Sequence, residues 1–569
     1  MPTHHTPVHL AAAEAVAARA GVAATDLKVE APPRAELGDL AVGCFALAKA
    51  QGKNPAQIAK ELAEGIAPAG LIAGATAAGP FVNFKLDRAA TFQWIVDAAL
   101  AGTLVPKTVG AGKTICIDYS SPNISKHLAY HHIRGTTIGH ALAQIFRALG
   151  YNVVGINFLG DWGATHGMVI AAYEKWGAEE PLDVTKLNEL YVRFREAAKE
   201  NPAVEQEGRN AFKRLEDGDP AVRALWQRFR DISWAEFDQI YKLLGIEFDE
   251  VRGEAAYEPD MPGVFEELRP LLTESEGAQV VELEGEKNPI LLKTKDGTTL
   301  YATRDVAAAK YRWNTFHFTR SLYVVDRGQA LHFRQLFKLL KKAGHDWADR
   351  CEHVPYGLIR VAGKRSATRL GGVVLMRDVF KIAEADVREV IAKVNPQLPK
   401  EVVDEVAPKI GIGAVVFANL ATQRDKDIDF DLDKATSLEG DSGPYVQYSH
   451  ARCASIGRKA GETVTSVEGV DFTKLTHDAE WAVAKKLLEL PEIVVRAADN
   501  SEPHGIAHYL LQLAAEFSRW YTQGNGDPTL RVIVDDPVVR RARLALVAAV
   551  QATLATGLSL LGIAAVEQM

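Results

Sequence analysis

Cysteine is scarce. Only Cys44, Cys116, Cys351 and Cys453 occur in 569 residues, and no CxxC pair exists. That excludes a zinc knuckle and a disulfide framework. Scattered single thiols most often fill cores, and they point to a reducing compartment, the cytoplasm. No apolar run of about 18 residues is free of charged side chains, so no membrane-spanning helix is expected. Met1 to Pro7 holds histidines and a proline, with no basic stretch ahead of an apolar one. A signal peptide is therefore not expected. Basic excess is also missing: 65 Lys and Arg against 73 Asp and Glu give a formal net charge of -8. This argues against a basic nucleic-acid coat, but a local basic face can still grip phosphates. No internal repeat or low-complexity tract stands out.

What is present is an ordinary globular mix, 47% hydrophobic and 24% charged. The length suggests about three or four domains. Residues 1–105 read as one small domain. Ala11 to Ala18 and Pro55 to Ile66 have helical spacing, and Pro80 to Leu86 alternates like a strand. Ala101 to Gly112 reads as a linker. Residues 106–432 read as a parallel, doubly wound α/β domain. Thr114 to Asp118 is a strand, Ile133 to Leu149 a helix with Gly150 as its C-cap, and Asn152 to Asn157 a second strand. That is a βαβ unit with a right-handed crossover. A charged helical insertion occupies about 175–275, and strand signals return at Gln279 to Leu283, Ile290 to Lys293 and Leu322 to Asp326. Residues 433–569 read as an all-helical bundle.

The chemistry concentrates in loops. SSPNISKHLAYHHIR follows the first strand and leads into a helix N-terminus. In open parallel sheets, ligands sit beyond the carboxyl ends of the strands, and helix N-termini favour phosphate. Lys126, His127, His131, His132 and Arg134 are cations and donors suited to a triphosphate. The same composition also describes a solvated loop. LGDWG, Leu159 to Gly163, makes a tight turn after the second strand, and Trp162 fits a buried structural role equally well. Asp305 has an alternative reading as a helix cap or first-turn acid.

DYSSPNISK, LGDWG, YATRD, LHFRQ, SATRLGGVV and EGDSGPYVQYSHAR occur in this order. They follow AELGDLAVGCFALAK and precede LSLLGIAAVEQM. This ordered set resembles the arginine-specific class I aminoacyl-tRNA synthetases over nearly the whole chain. The resemblance implies a Rossmann-like catalytic domain, an N-terminal domain that meets the tRNA elbow, and a C-terminal anticodon-binding bundle. It implies ATP-dependent activation of L-arginine, assisted by Mg²⁺, transfer to tRNA(Arg), and a cytoplasmic monomer with no membrane partner.

The resemblance also assigns residues. Asp118, Asn123, Tyr301, Asp305 and Gln329 would line the arginine pocket, where a planar guanidinium needs acidic partners. Ser121, His131, Gly160, Asp161, Lys364 and Arg365 would bind ATP. Lys126, His132, His127 and Arg369 would serve catalysis, with Lys126 standing in for the lysine missing from the loop Gly363 to Gly372. The family's His-x-Gly-His signature is altered: Ala129, Tyr130, His131 and His132 stand there. Asn83, Tyr445, Tyr448 and Arg452 would meet tRNA, since aromatic and arginine side chains stack on unpaired bases. An aromatic stripe on a helix is also common in cores. Two rival readings are open: a paralogous ligase with a non-tRNA acceptor, and a catalytically silent tRNA-binding protein.

Overall fold

The computed structural model describes residues 6–177, 180–293, 301–361 and 374–569. Four strands come first: β1 (Val29–Glu30), β2 (Leu40–Gly43), β3 (Ile72–Ala78) and β4 (Phe81–Leu86). They form an antiparallel sheet in the order β1-β2-β4-β3. The helix Pro7–Ala20 precedes it, capped by Thr6 at its start and by left-handed Gly21 at its end. The helix Arg88–Leu100 leads out of this sheet towards the C-terminal bundle. There Phe92 stacks on Phe472 and packs edge-on against Trp481.

The parallel sheet is built from β5 (Thr114–Asp118), β6 (Asn152–Asn157) and β7 (Glu250–Val251). After the antiparallel strands β8 (Thr273–Ser275), β9 (Ala278–Val281) and β10 (Ile290–Lys293), it is completed by β11 (Arg320–Asp326) and β12 (Cys351–Tyr356). The sheet order is β12-β11-β5-β6-β7, and every pair is parallel. Strand order reverses between β5 and β11, which is the switch point where doubly wound sheets bind ligands. Four of the five β5 residues are buried, as a central parallel strand requires. The strand signals at Gln279 to Leu283 and Ile290 to Lys293 belong elsewhere. β8, β9 and β10 form a separate three-stranded antiparallel sheet. A short parallel pair, β13 (Ile359–Val361) with β14 (Ile428–Phe430), lies near the cleft.

Inside the span 175–275 expected as a helical insertion, β7 is a strand of the parallel sheet, while between β6 and β7 lie the helices Val184–Glu200, Pro202–Glu216 and Pro220–Leu243. Each begins with an Asp or Asn side chain accepting from a backbone N–H of the first turn. The C-terminal part contains the helices Gly443–Ala460, Asp478–Leu488, Leu490–Asp499, His504–Gly526 and Pro537–Leu560. Pro537–Leu560 is long and apolar enough to cross a membrane by composition, but most of its apolar window is buried against the bundle. One continuous core joins the N-terminal domain, β5, the helix Ile133–Ala148 and this bundle.

Candidate active site at the carboxyl edge of the parallel sheet

The strand β5 ends at Asp118, and the chain then turns sharply at Ser120, which has φ +53°. A non-glycine residue there carries strain of about 1 kcal/mol or more. The surroundings hold it in place. The Ser120 carbonyl accepts from Asn157 Nδ2 at 2.5 Å and from the Tyr241 hydroxyl at 3.0 Å, while its hydroxyl lies 2.6 Å from Thr136 Oγ1. The SSPN loop then joins the LGDWG loop. Gly160 N–H donates to the Pro122 carbonyl, and Ile124 N–H donates to the Gly160 carbonyl. A Cβ on Gly160 would sit 2.2 Å from Asn123 Oδ1, so the contact requires glycine.

A cleft of about 320 Å³ opens at the switch point, lined by Ser121, Asn123, His131, His132, Asp326 and Gln329 among others. Four residues of the loop after β5 thus meet two from the end of β11 and the turn beyond it, where the fold rule places a ligand. Burial, aided by the charge of Lys126 and by its neighbour His131, lowers the His132 pKa to about 4. Burial also lowers the pKa of His131, although Asp326 opposes the shift. Both rings are therefore neutral near pH 7 and act as hydrogen-bond groups rather than cations. The rings lie 4.1 Å apart, and His132 Nδ1 is 3.1 Å from the Ala129 carbonyl oxygen.

Other expected residues sit differently. The Arg134 side chain is fully buried and donates to the carbonyls of Asn419, Gln423, Arg424 and Lys426. It clamps the helix Ile133–Ala148 to that segment and does not face the cleft. The His127 ring is held by Glu236 at 2.6 Å and Thr185 at 3.2 Å, both on the insertion. Asp161 is buried, ion-paired with Arg230 at 3.0 Å and bonded by the Ala255 N–H at 2.9 Å. It fixes the turn from within. Trp162 is buried between Phe212 and Trp226, in agreement with its structural reading. Lys364, Arg365 and Arg369, the whole remnant loop, lie outside the described residues, as does the Tyr301 side chain.

The acidic residues occupy one helix face and its neighbours. Asp305 lies in the second turn of the helix Tyr301–Phe316, so it is neither a cap nor a first-turn acid. Arg312 follows it seven residues later, two turns along the same face. Arg312 reaches back to β5 and donates to Asp118 Oδ2 at 2.7 Å. Asp118 Oδ1 accepts from Ser121 at 2.9 Å, so both carboxylate oxygens have partners from the chain. Asp305 pairs with His332 Nε2 at 2.6 Å. Burial works against a charged His332 ring, but the hydrogen bond and charge of Asp305 outweigh it and raise the pKa. Beside them, Glu254 is buried against Arg304 at 2.8 Å. Burial, reinforced by Asp305 and Asp161, raises its pKa to about 7. Asn123 and Gln329 are exposed at the cleft's edge. His332 belongs to LHFRQ, but nothing in that motif signals that it meets Asp305.

A second cleft, of about 340 Å³, lies on the C-terminal bundle. Tyr448, Arg452, Arg458, Lys459, Tyr521 and Met569 line it. The Arg452 guanidinium stands 4.7 Å from the Tyr448 ring centre and 5.4 Å from that of Tyr521. Tyr445 lies outside this cleft and packs on the main core. Asn83 is 2% exposed on the central strand β4, and its amide donates to the Phe81 carbonyl, so its side chain is not presented at the surface.

The comparisons with known proteins agree with this architecture. The family described as the catalytic domain of class I (R) tRNA synthetases matches residues 95–432. The chain belongs to the arginyl-tRNA synthetase family. The arginyl tRNA synthetase N-terminal domain matches residues 8–86, and the DALR anticodon binding domain matches 446–569. The chain is 43% identical to the arginine–tRNA ligase of Clostridium perfringens over 95% of this chain and 96% of that one. It is 44% identical to that of Exiguobacterium sibiricum over 95% of both. Among solved structures, Thermus thermophilus arginyl-tRNA synthetase superposes with a TM-score of 0.82 at 28% identity, covering 99% of this chain and 100% of that one.

Proposed function

We propose that this chain joins L-arginine to tRNA(Arg) in two ATP-driven steps. A carboxylate oxygen of arginine attacks the α-phosphorus of ATP. The bond to the β-phosphate oxygen breaks, and pyrophosphate leaves. A terminal ribose hydroxyl of the tRNA then attacks the carbonyl carbon of arginyl-adenylate; AMP leaves and the hydroxyl proton passes to solvent. Catalysis is positioning and charge neutralisation. The observation that carries the reading is the meeting of the SSPN loop, His132, Asp326 and Gln329 around one cleft at the switch point. Lys126 offsets phosphate charge, with His131 and His132 as neutral donors. Mg²⁺ would accompany the nucleotide and help neutralise its phosphate charge. Among the described residues no group of three or more His, Cys, Asp or Glu side chains is spaced to hold a metal. The protein works as a cytoplasmic monomer without a membrane partner. ATP–pyrophosphate exchange tests the reading, run with each amino acid and with or without tRNA. Arginine-dependent exchange supports it; exchange stimulated equally by other amino acids overturns it.

Asp305 takes the arginine guanidinium, and His332 orients its carboxylate. Asp305→Asn removes a charge-assisted contact worth roughly 1.5–3 kcal/mol, about 10- to 150-fold in arginine affinity. Lysine stays a poor ligand, because an ammonium cannot fill a bidentate fork. The raised His332 pKa gives the sign of a pH effect. As pH falls through it, the ring becomes cationic, holds Asp305 and repels the guanidinium. The Michaelis constant for arginine therefore rises on the acid side, and His332→Gln flattens that limb. Arginine affinity unchanged in Asp305→Asn removes Asp305 from the pocket.

The bundle cleft takes unpaired bases of the anticodon loop. Two tyrosines flanking an arginine form a stacking platform within a basic rim. Tyr448→Ala and Tyr521→Ala each weaken tRNA binding by about 5- to 150-fold, the range of one base stack of about 1–3 kcal/mol. The constants for arginine and ATP stay as they were. An unchanged tRNA Michaelis constant in both variants contradicts the assignment.

A further inference from the structure

Three consecutive residues of the SSPNISKH loop are each held by the helical insertion. Ser125 adopts φ +64°, and its N–H donates to the hydroxyl of buried Ser233 at 2.9 Å. The His127 ring bridges Glu236 and Thr185. Between them, the Lys126 ammonium stands 4.6 Å from the centre of the Tyr191 ring. Thr185 and Tyr191 come from the helix Val184–Glu200, and Ser233 and Glu236 from Pro220–Leu243. The residues on either side of Lys126, Ser125 by its backbone N–H and His127 by its ring, are thus held by two helices that lie outside the sheet. An aromatic face meets the end of the lysine side chain.

We propose that Tyr191 is a positioning residue for Lys126, holding its ammonium over the ring so that it is charged, oriented and free to take a phosphate. A carboxylate partner would cancel the charge and occupy the donors. An aromatic face attracts a cation through its quadrupole and leaves the N–H groups available. Among the described residues, no carboxylate comes within 4.0 Å of the Lys126 ammonium. The field of Lys126 is felt at the cleft: it helps lower the pKa of His132, which lines the cleft, and of buried His166, both to about 4. Tyr191 has its own support, since the Arg195 guanidinium donates to its hydroxyl at 3.1 Å. The insertion thereby becomes part of the catalytic apparatus without touching the nucleotide. This proposal rests on the reading of Lys126 as the phosphate cation.

The test is a double-mutant cycle in the full chain, read by arginine-dependent ATP–pyrophosphate exchange. Tyr191→Leu keeps apolar bulk and loses the aromatic face. Tyr191→Phe keeps the face and loses only the Arg195 bond. Tyr191→Leu is expected to lower kcat about tenfold while the ATP Michaelis constant changes less than about twofold, with Tyr191→Phe retaining most of the rate. In a Lys126→Ala background, Tyr191→Leu should add almost nothing, because the residue it serves is gone. Thermal unfolding of each variant separates a folding loss from a rate loss. If Tyr191→Phe is as damaging as Tyr191→Leu, the ring face is not the agent. If Tyr191→Leu costs the same factor without Lys126, Tyr191 acts by packing alone. Either result overturns the proposal. If Lys126→Ala by itself leaves exchange intact, the underlying reading of Lys126 falls, and this proposal falls with it.

Discussion

Lys126→Ala is expected to lower the rate of adenylate formation by about 10²–10³-fold, the range for losing one preorganised charge donor. The ATP Michaelis constant should change far less. A group that meets charge developing in the transition state contributes to rate more than to ground-state binding. The altered signature concentrates the load on this residue. Ala129 has no phosphate donor, and His131 and His132 are neutral near pH 7 because burial lowers their pKa values. His127, which could have compensated, is committed to Glu236 and Thr185. On the proposed reading, Lys126 is the cation that the described part of the loop offers to phosphate. His132→Ala should act in the same direction, more mildly. His131→Gly should be tolerated if the ring only borders the cleft. Unaltered adenylate formation in both Lys126→Ala and His132→Ala would remove this loop from the ATP site.

Asp118→Asn is expected to destabilise the fold by about 3–5 kcal/mol, the cost of leaving a buried charge without its partner. The Arg312 side chain is 1% exposed and Asp118 6%, so neither ion is screened by water. Phe158 and Tyr323 flank the guanidinium, and no second carboxylate pairs with it among the described residues. An asparagine keeps the shape but cannot supply the charge. Denaturant unfolding checks this directly. A double change, Asp118→Leu with Arg312→Met, should recover much of the loss, because two apolar groups leave nothing uncompensated. An unchanged unfolding midpoint in Asp118→Asn would show that the pair is not structural. Arginine affinity in this variant is informative only beside a variant of equal stability.

The sequence was most legible where periodicity is local. The strands Thr114–Asp118 and Asn152–Asn157 and the helix between them follow directly from apolar spacing. β7 is only two residues long and β12 reads CEHVPY, so neither carries an alternation that could reveal it. β9 and β10 look like any half-buried strands; nothing local says that they pair with each other instead of joining the parallel sheet. The site divides in the same way. The SSPN motif located the loop that lines the cleft, since a loop after a parallel strand must lie at the carboxyl edge. Motifs could not show that Asp118 is met by Arg312, 194 residues away, or Asp305 by His332, 27 residues on. Such pairs arise from crossovers, which juxtapose residues without regard to spacing. Arg134 and His127 show the converse. Each looked like a phosphate ligand by composition, and each is turned by tertiary packing to hold another segment.

The most direct test is charging itself. The purified protein is incubated with ATP, Mg²⁺, total tRNA and one labelled amino acid at a time, and label on tRNA is counted. Arginine alone should be esterified, to arginine-accepting tRNA, and charging should fall by about 10²-fold or more in Lys126→Ala, as for a lost transition-state charge. Folded protein that forms no arginyl-tRNA under these conditions, or that charges lysine as readily as arginine, would contradict the account.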